Sequence, residues 1–463
     1  MPRVSKLWAI ACVTVWAHVA IAYTDGLNSG SSAPSLVRES PVPVLPGLET
    51  QVEFWKQVFT TYSTHQVVIH DALYLDRVYE VVDFEFLTGG VLSDAEIRAY
   101  AQDKVRSEKD RIRAILLQLH QRGTDPGELS AEEAKIWALF PDANDASRFL
   151  DAAADDRLRS QTGVRERFAA GVEVSRRYLP EMEAVFRREG LPVELTRLPL
   201  VESSFNLHAY SKAGAAGIWQ FMPSTARLYM RLDRAVDERR DPLISTRAAA
   251  AFLRANHDVL GSWPLAITAY NHGRAGIANA VATVGSSDLM EIIRTYHGRG
   301  FKFASRNFYA EFLAALEVER NASHYFGELS PARPQHTDNL VLADPISIKT
   351  AARAGNADVD TLAKLNPALT RDVTAGKLRI PKGYNLRLPP GSAADFRVRY
   401  ASVLAQEKPQ AQKARKVVHR VKPGQTLEGI AKRHGTTVAA LRRQNKLRDT
   451  RVRAGQSLTI PTT

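Results

Sequence analysis

Val164, Phe168, Val172, Leu179, Met182 and Phe186 lie three, four or seven residues apart, the spacing that gathers side chains on one face of a helix. Pro180 breaks the register and opens a second helix in its first turn, which Gly190 ends. Pro192 starts another through Leu195, Leu198 and Val201. Residues 95–119, 246–260, 264–270 and 307–318 carry the same pattern, so most of residues 48–328 reads as helix. Only Gln66–Ile69 and Tyr79–Phe84 read as short strands. The fold class is therefore mainly α, with helix packed on helix.

Length and composition limit the rest. The chain has 463 residues, which predicts two to four domains at about 150 residues each. With 44% apolar and 24% charged residues, it is neither a mainly disordered, a collagen-like nor a multi-pass membrane protein. Cys12 is the sole cysteine, which excludes a disulfide scaffold. Arg3 and Lys6, the apolar run Leu7–Val19 and the small-x-small Ala20-Ile21-Ala22 form a secretory signal, cleaved before Tyr23. Leu7–Ala22, interrupted by His18, falls short of the roughly 20 residues a spanning helix needs. Too few apolar residues precede Cys12 for a normal lipoprotein signal, so membrane association follows only if Cys12 carries lipid. The expectation is an exported, periplasmic or cell-wall-associated protein.

Beyond residue 330 the pattern changes to short apolar runs and turns. Ala351-x3-Gly355, then Val359, Leu362 and Asn366, is echoed by Ala431-x3-Gly435, then Val438, Leu441 and Asn445. Each stretch closes on an apolar residue and proline, Leu388-Pro389 and Ile460-Pro461. Two copies of one small unit are expected, joined by a tether rich in Gln, Ala and Lys at 401–416.

Three segments carry chemistry: Leu198-Pro199-Leu200-Val201-Glu202-Ser203-Ser204-Phe205-Asn206, Gly214 to Ala226, and Ala269-Tyr270-Asn271-His272-Gly273. The first places one carboxyl at the end of an apolar helical run, where it keeps its proton to higher pH, as a general acid requires. In the second, Gly214 and Gly217 permit close backbone approach, Gln220 offers an amide that both donates and accepts, and Pro223 suits a first helical turn. The third ends a helix at Gly273 with a tyrosine hydroxyl and an amide nearby.

These segments, in this order and spacing, resemble the lytic transglycosylases related to goose-type lysozyme. The Phe54–Phe84 and Arg165–Pro192 stretches look like the membrane-bound D-type enzymes. The resemblance implies a carbon–oxygen lyase that cleaves the β-1,4 bond between N-acetylmuramic acid and N-acetylglucosamine in peptidoglycan. It makes Glu202 the catalytic acid, puts Gln220 and Met222 along the sugar groove, and sets Tyr270 and Asn271 beside the reacting centre. It also implies an aromatic groove floor at Phe308 or Tyr309. Trp219 reads as core, and His272 stays outside the catalytic set. Residues 417–462 resemble a LysM domain, a βααβ unit binding N-acetylglucosamine-containing glycan, with Gly424, Thr426 and Leu427 as candidate contacts. The earlier copy lacks the Gly-x-Thr signature and reads as a degenerate LysM-like module kept for structure.

The expected organisation is a signal at 1–22, a linker at 23–47, a helical N-terminal domain at 48–188 and a lysozyme-like catalytic domain at 189–328. A degenerate module at 338–390, a linker at 391–416 and a LysM domain at 417–462 follow. Hydrolysis, as in a lysozyme, is the close alternative; ordinary glycosidases use a pair of carboxylates, and none lies in the three motifs unless Asp233, Asp237 or Asp241 folds beside Glu202. A non-catalytic wall-binding protein is the other alternative. No cofactor is implied, and no His-x3-His or Glu-x2-His pair suggests a metal. The net charge of +12 invites nucleic acid. Yet Arg299-Gly300-Phe301-Lys302-Phe303 fails the RNA-recognition pattern at its fourth position and lies among helices. Thirteen Lys and Arg against two acids follow residue 412, whereas residues 23–412 carry a net of −1. The basicity belongs to the tail.

Overall fold

The computed structural model describes residues 41–463 except 91–92, 126, 142–144, 146, 331–335, 407–416, 448 and 461–463. The signal, the lipidation question at Cys12 and the linker up to residue 40 lie outside the described residues. The architecture is mainly helical, with 20 helices among the described residues.

One apolar core gathers helices that the sequence places in two domains. Phe54, Trp55, Val58 and Phe59 form the inward face of Glu49–Thr60, which lies along the long helix Phe303–Arg320. Phe59 stacks on Phe168 with ring centroids 4.3 Å apart, and Phe168, Met182 and Phe186 share a core with Leu198, Trp219, Leu253, Leu265 and Phe312. The expected boundary at residue 188 is thus crossed by packing: Glu49–Thr60, Arg165–Ser175 and Leu179–Arg188 share this core with the helices that follow. The end of the expected linker is also built in, because Val42 is buried there and the Tyr309 hydroxyl donates to the Pro43 carbonyl at 2.6 Å.

A second core sits between these helices in sequence. Gln66–Asp71, Val78–Asp83 and Leu158–Thr162 form an antiparallel sheet with the first strand in the centre. The third strand was not expected: its Leu-Arg-Ser-Gln-Thr has one buried apolar residue and no usable alternation. Helices Asp94–Arg122 and Ala131–Trp137 cover the sheet, each opened by a reciprocal Ser–Glu cap, Ser93 with Glu96 and Ser130 with Glu133. Asp71, fully buried, ends the central strand. It accepts from Arg157 Nε at 3.0 Å and Nη2 at 2.7 Å and from the Tyr79 hydroxyl at 3.2 Å.

The two C-terminal units share one design. Asp338–Val341 pairs with Asn385–Leu388, and Val417–Arg420 with Ser457–Ile460, both antiparallel. Between the strands lie two capped helices, Ile348–Ala354 and Val359–Leu365 in one, Leu427–Arg433 and Val438–Asn445 in the other. Asn366 and Asn445 make the same clamp. Asn366 bonds both backbone groups of Arg387, at 2.8 and 2.9 Å, and Asn445 those of Thr459, at 2.7 and 2.6 Å. The repeat read from sequence therefore extends to the same side-chain amide clamp. One further helix, Ala393–Gln406, inserts Phe396 into the first unit's core. Its apolar contact makes the start of the expected 391–416 linker part of that packed unit.

Candidate active site

Glu202 ends a helix that is shorter than its apolar pattern suggests. Pro192 opens a tight 3-10 stretch, Val193–Arg197, and α-helix begins only at Leu198, with Pro199 in its first turn. Ser204 and Phe205 then take left-handed φ values of 47° and 52°, each costing about 1–3 kcal/mol in a non-glycine residue. The surroundings hold them there. Ser204 N donates to Leu200 O and Phe205 N to Pro199 O. Gly171 admits the Ser204 carbonyl to a position only 2.2 Å from where a Cβ would stand. Ser203 Oγ donates to the Ile218 carbonyl at 2.9 Å, tying this helix to the glycine-turned loop.

That loop is folded on itself. Ala216 pairs with both Tyr210 and Phe221, and Gly217 N donates to Ala209 O at 3.0 Å. Gln220, with φ 47°, donates its side-chain amide to Gly217 O at 2.7 Å, which leaves its Oε1 to accept. Trp219 is core, as expected: fully buried, its indole N–H donates to Thr246 Oγ1 at 3.0 Å. The Tyr270 hydroxyl donates to the Trp219 carbonyl at 2.8 Å. Met222, 41% exposed, follows on the surface. Gln220, Met222 and Tyr270 are thus carried by one loop and the helix end latched to it.

Asn271 is exposed at the end of the helix Trp263–His272. Its Oδ1 accepts from Ser305 Oγ at 3.1 Å, and Ser305 Oγ also lies 3.1 Å from His272 Nδ1. Since the serine proton serves Asn271, His272 Nδ1 carries the proton that closes the chain. His272 stands edge-on to Phe301 at 5.2 Å, and burial lowers its pKa. It packs and, through Ser305, orients Asn271. Phe308 and Tyr309 are both buried, and the Tyr309 hydroxyl is spent on Pro43. Neither floors an open groove.

Burial pushes the Glu202 carboxyl up to about 8. The Tyr270 hydroxyl is held well above its usual range, by burial and then by the Glu202 charge, so it remains a donor. A second carboxyl stands in electrostatic reach from outside the three motifs. Glu311 lies on Phe303–Arg320, which packs against the helix of Glu202. Burial, with the Glu202 charge added, raises it also to about 8. Its sequence signal was a lone acid inside the apolar run Phe308–Leu316. The acids considered from sequence are engaged elsewhere: Asp233 with Arg231 at 2.6 Å, Asp237 with Arg239 at 2.8 Å, and Asp241 with Arg387.

In the C-terminal unit, exposed Gly424 has φ 80°. Thr426 caps the helix Leu427–Arg433 by accepting from Gly429 N at 3.1 Å. Leu427 is 1% exposed in the unit's core, so its side chain faces away from any glycan. Gln425 accepts from Lys422 N at 2.9 Å, closing the turn before that helix.

The described residues thus join a mainly helical, lysozyme-like body to two small βααβ units. The transglycosylase SLT domain family matches residues 182–293, and the LysM family residues 419–461. The chain is a distant homologue of membrane-bound lytic murein transglycosylase D of Escherichia coli K12, at 28% identity over 358 residues, 73% of this chain and 75% of that protein. The same figures hold for the protein of that name in Escherichia coli strain CFT073. An inactive variant of lytic transglycosylase Slt from Pseudomonas aeruginosa shares 19% identity over 34% of this chain and 25% of its own. Its TM-score of 0.27 is too slight to inform the fold. Among the described residues no helix is long and apolar enough to cross a membrane.

Proposed function

We propose that the chain is a peptidoglycan lytic transglycosylase that cleaves the β-1,4 bond between N-acetylmuramic acid and N-acetylglucosamine without water, leaving 1,6-anhydro ends. The observation that carries this reading is Glu202, the acid of the three segments, kept protonated to about pH 8 with the Tyr270 hydroxyl, a donor that does not ionise, in electrostatic reach. Glu202 gives its proton to the glycosidic oxygen as the bond from the anomeric carbon to that oxygen breaks. The resulting carboxylate takes the proton of the muramic 6-hydroxyl, and the 6-oxygen bonds to the anomeric carbon. Glu202 ends as it began. Gln220 Oε1, exposed Met222, Asn271 and the Tyr270–Trp219 latch line and order the sugar groove around this step.

A hydrolase of the two-carboxylate type needs an ionised partner to hold water or form a covalent intermediate. Glu311 is the acid within electrostatic reach, and at neutral pH it is itself protonated. That favours the one-acid scheme. Mass spectrometry of the products released from sacculi decides the outcome. Anhydro-muramic ends are expected, and reducing-end muramic acid would establish a hydrolase. Glu202→Gln should abolish turnover while sacculus pull-down persists; retained turnover would sink both the assignment of the acid and the mechanism. The LysM unit holds the enzyme on the wall, which raises its local concentration on an insoluble polymer. An exported, envelope-located protein fits that role.

A further inference from the structure

The unit at 338–390 is docked on the lysozyme-like body. The segment Arg231–Asp241 runs between the two. On one side, Val236 pairs with Leu369, Asp237 N donates to Ala368 O at 2.8 Å, and Thr370 N donates to Ala235 O at 3.0 Å. Val236 is fully buried within the unit's own core, among Leu342, Ile346 and Leu369. Arg387 reaches across with its guanidinium fork on Asp241, Nη2 to Oδ1 at 3.0 Å and Nη1 to Oδ2. Asp241 is 1% exposed and caps the helix Pro242–Leu260 by accepting from Leu243 N and Ile244 N.

The other side of the segment faces the glycine-turned loop. Arg239, 3% exposed, is held by Asp237 and donates from Nη1 to the carbonyls of Gly214 at 2.7 Å and Phe221 at 3.1 Å. The Arg239 carbonyl stands 1.8 Å from where a Cβ on Gly217 would lie. The segment therefore clamps both ends and the middle of the loop that presents Gln220 and Met222. Asp241 also starts the helix whose Thr246 receives the Trp219 indole.

The second copy of the repeat shows what the docking requires. At the strand position where Arg387 is clamped by Asn366, the C-terminal unit has Thr459 clamped by Asn445. The fold is retained and the guanidinium is not. Two residues past the clamping asparagine, the C-terminal unit has Leu447 only partly buried, whereas Ala368 of the first unit is fully buried.

We propose that the unit at 338–390 is an internal brace that sets the conformation of the loop at 211–221, with Arg387 and Asp241 as positioning residues for glycan binding at that loop. The brace is not a second wall anchor. Its catalytic consequence rests on the reading of the site as a glycan-cleaving one; the structural consequence does not.

The test uses the full chain carrying Asp241→Asn with Arg387→Gln. Removing both charges leaves neither buried and unpaired, and asparagine still caps the helix. Amide hydrogen exchange is followed in residues 209–221 and in the helices Glu49–Thr60 and Phe303–Arg320, alongside solubilisation kinetics and sacculus pull-down. Exchange in the loop should quicken about tenfold, with the two helices unchanged, because only a local opening is made easier. KM should rise severalfold with pull-down unaltered. Arg387→Lys, which keeps the charge and loses the fork, should fall between the double variant and the parent. It carries the test alone if the double variant does not fold. Unchanged loop exchange, or loosening spread evenly through the body, overturns the brace. If the parent protein proves inactive on sacculi, the functional reading falls while the exchange result still decides the brace.

Discussion

At the scale of single residues, the balance at the site is between desolvation and ionisation. Glu202 and Glu311 both keep their protons in the fold up to about 8, against an ordinary value of 4.5. Because the general acid must be protonated, turnover should fall as pH rises through about 8. The same shift bears on stability. Between 4.5 and about 8 the unfolded chain releases a proton that the fold retains, so the fold loses stability as pH rises through that window. Glu202→Gln removes one of these two penalties. At pH 8–9 it should raise thermal stability by more than about 1 kcal/mol, the worth of one pKa unit, and the gain should vanish toward pH 4. Calorimetry of both proteins across that range checks it. A gain that is the same at pH 4 and pH 9 would mean that Glu202 is not desolvated. Glu202 stood out in sequence as an acid closing the apolar run Leu198–Val201, and only the three segments together made it the candidate acid. Glu311 did not stand out, because only the packing of Phe303–Arg320 on Leu198–Ser203 brings it near.

Elements are joined here by a few buried polar links. The strand Leu158–Thr162 was invisible to period-two patterning, and what fixes its edge of the sheet is Arg157, whose fork closes on fully buried Asp71. Arg157→Ala leaves that carboxylate without its cation and should cost about 3–5 kcal/mol. The loss should show first as faster amide exchange in Gln66–Asp71 and Leu158–Thr162, with Trp263–His272 protected as before. Uniform loss of protection would place the sheet and the body in one cooperative unit. Helix ends, in contrast, were readable: Pro180 lies in the first turn of Leu179–Arg188, and Gly273 follows the end of Trp263–His272.

For the whole molecule, charge and repetition are distributed unevenly. The LysM unit exposes Arg420, Lys422, Lys432, Arg433, Arg443, Lys446, Arg451 and Arg453 against the acids Glu428 and Asp449. Such a surface attracts an anionic envelope polymer, and salt screens the attraction. Sacculus binding by the full chain should weaken across a salt series, and a chain ending at residue 412 should bind less at low salt. Equal, salt-independent binding by both would refute the electrostatic role. The sequence by itself determined the helical class and the repeated βααβ units, because periodicity, caps and turn residues act over a few residues along the chain. Tertiary structure alone decided that Val42 and Glu49–Thr60 share a core with Phe303–Arg320, that Glu311 comes within electrostatic reach of Glu202, and that the first repeat is bound to the body by Arg387 and Asp241. Each of these joins residues more than a hundred positions apart, and burial between distant segments leaves no local period to read.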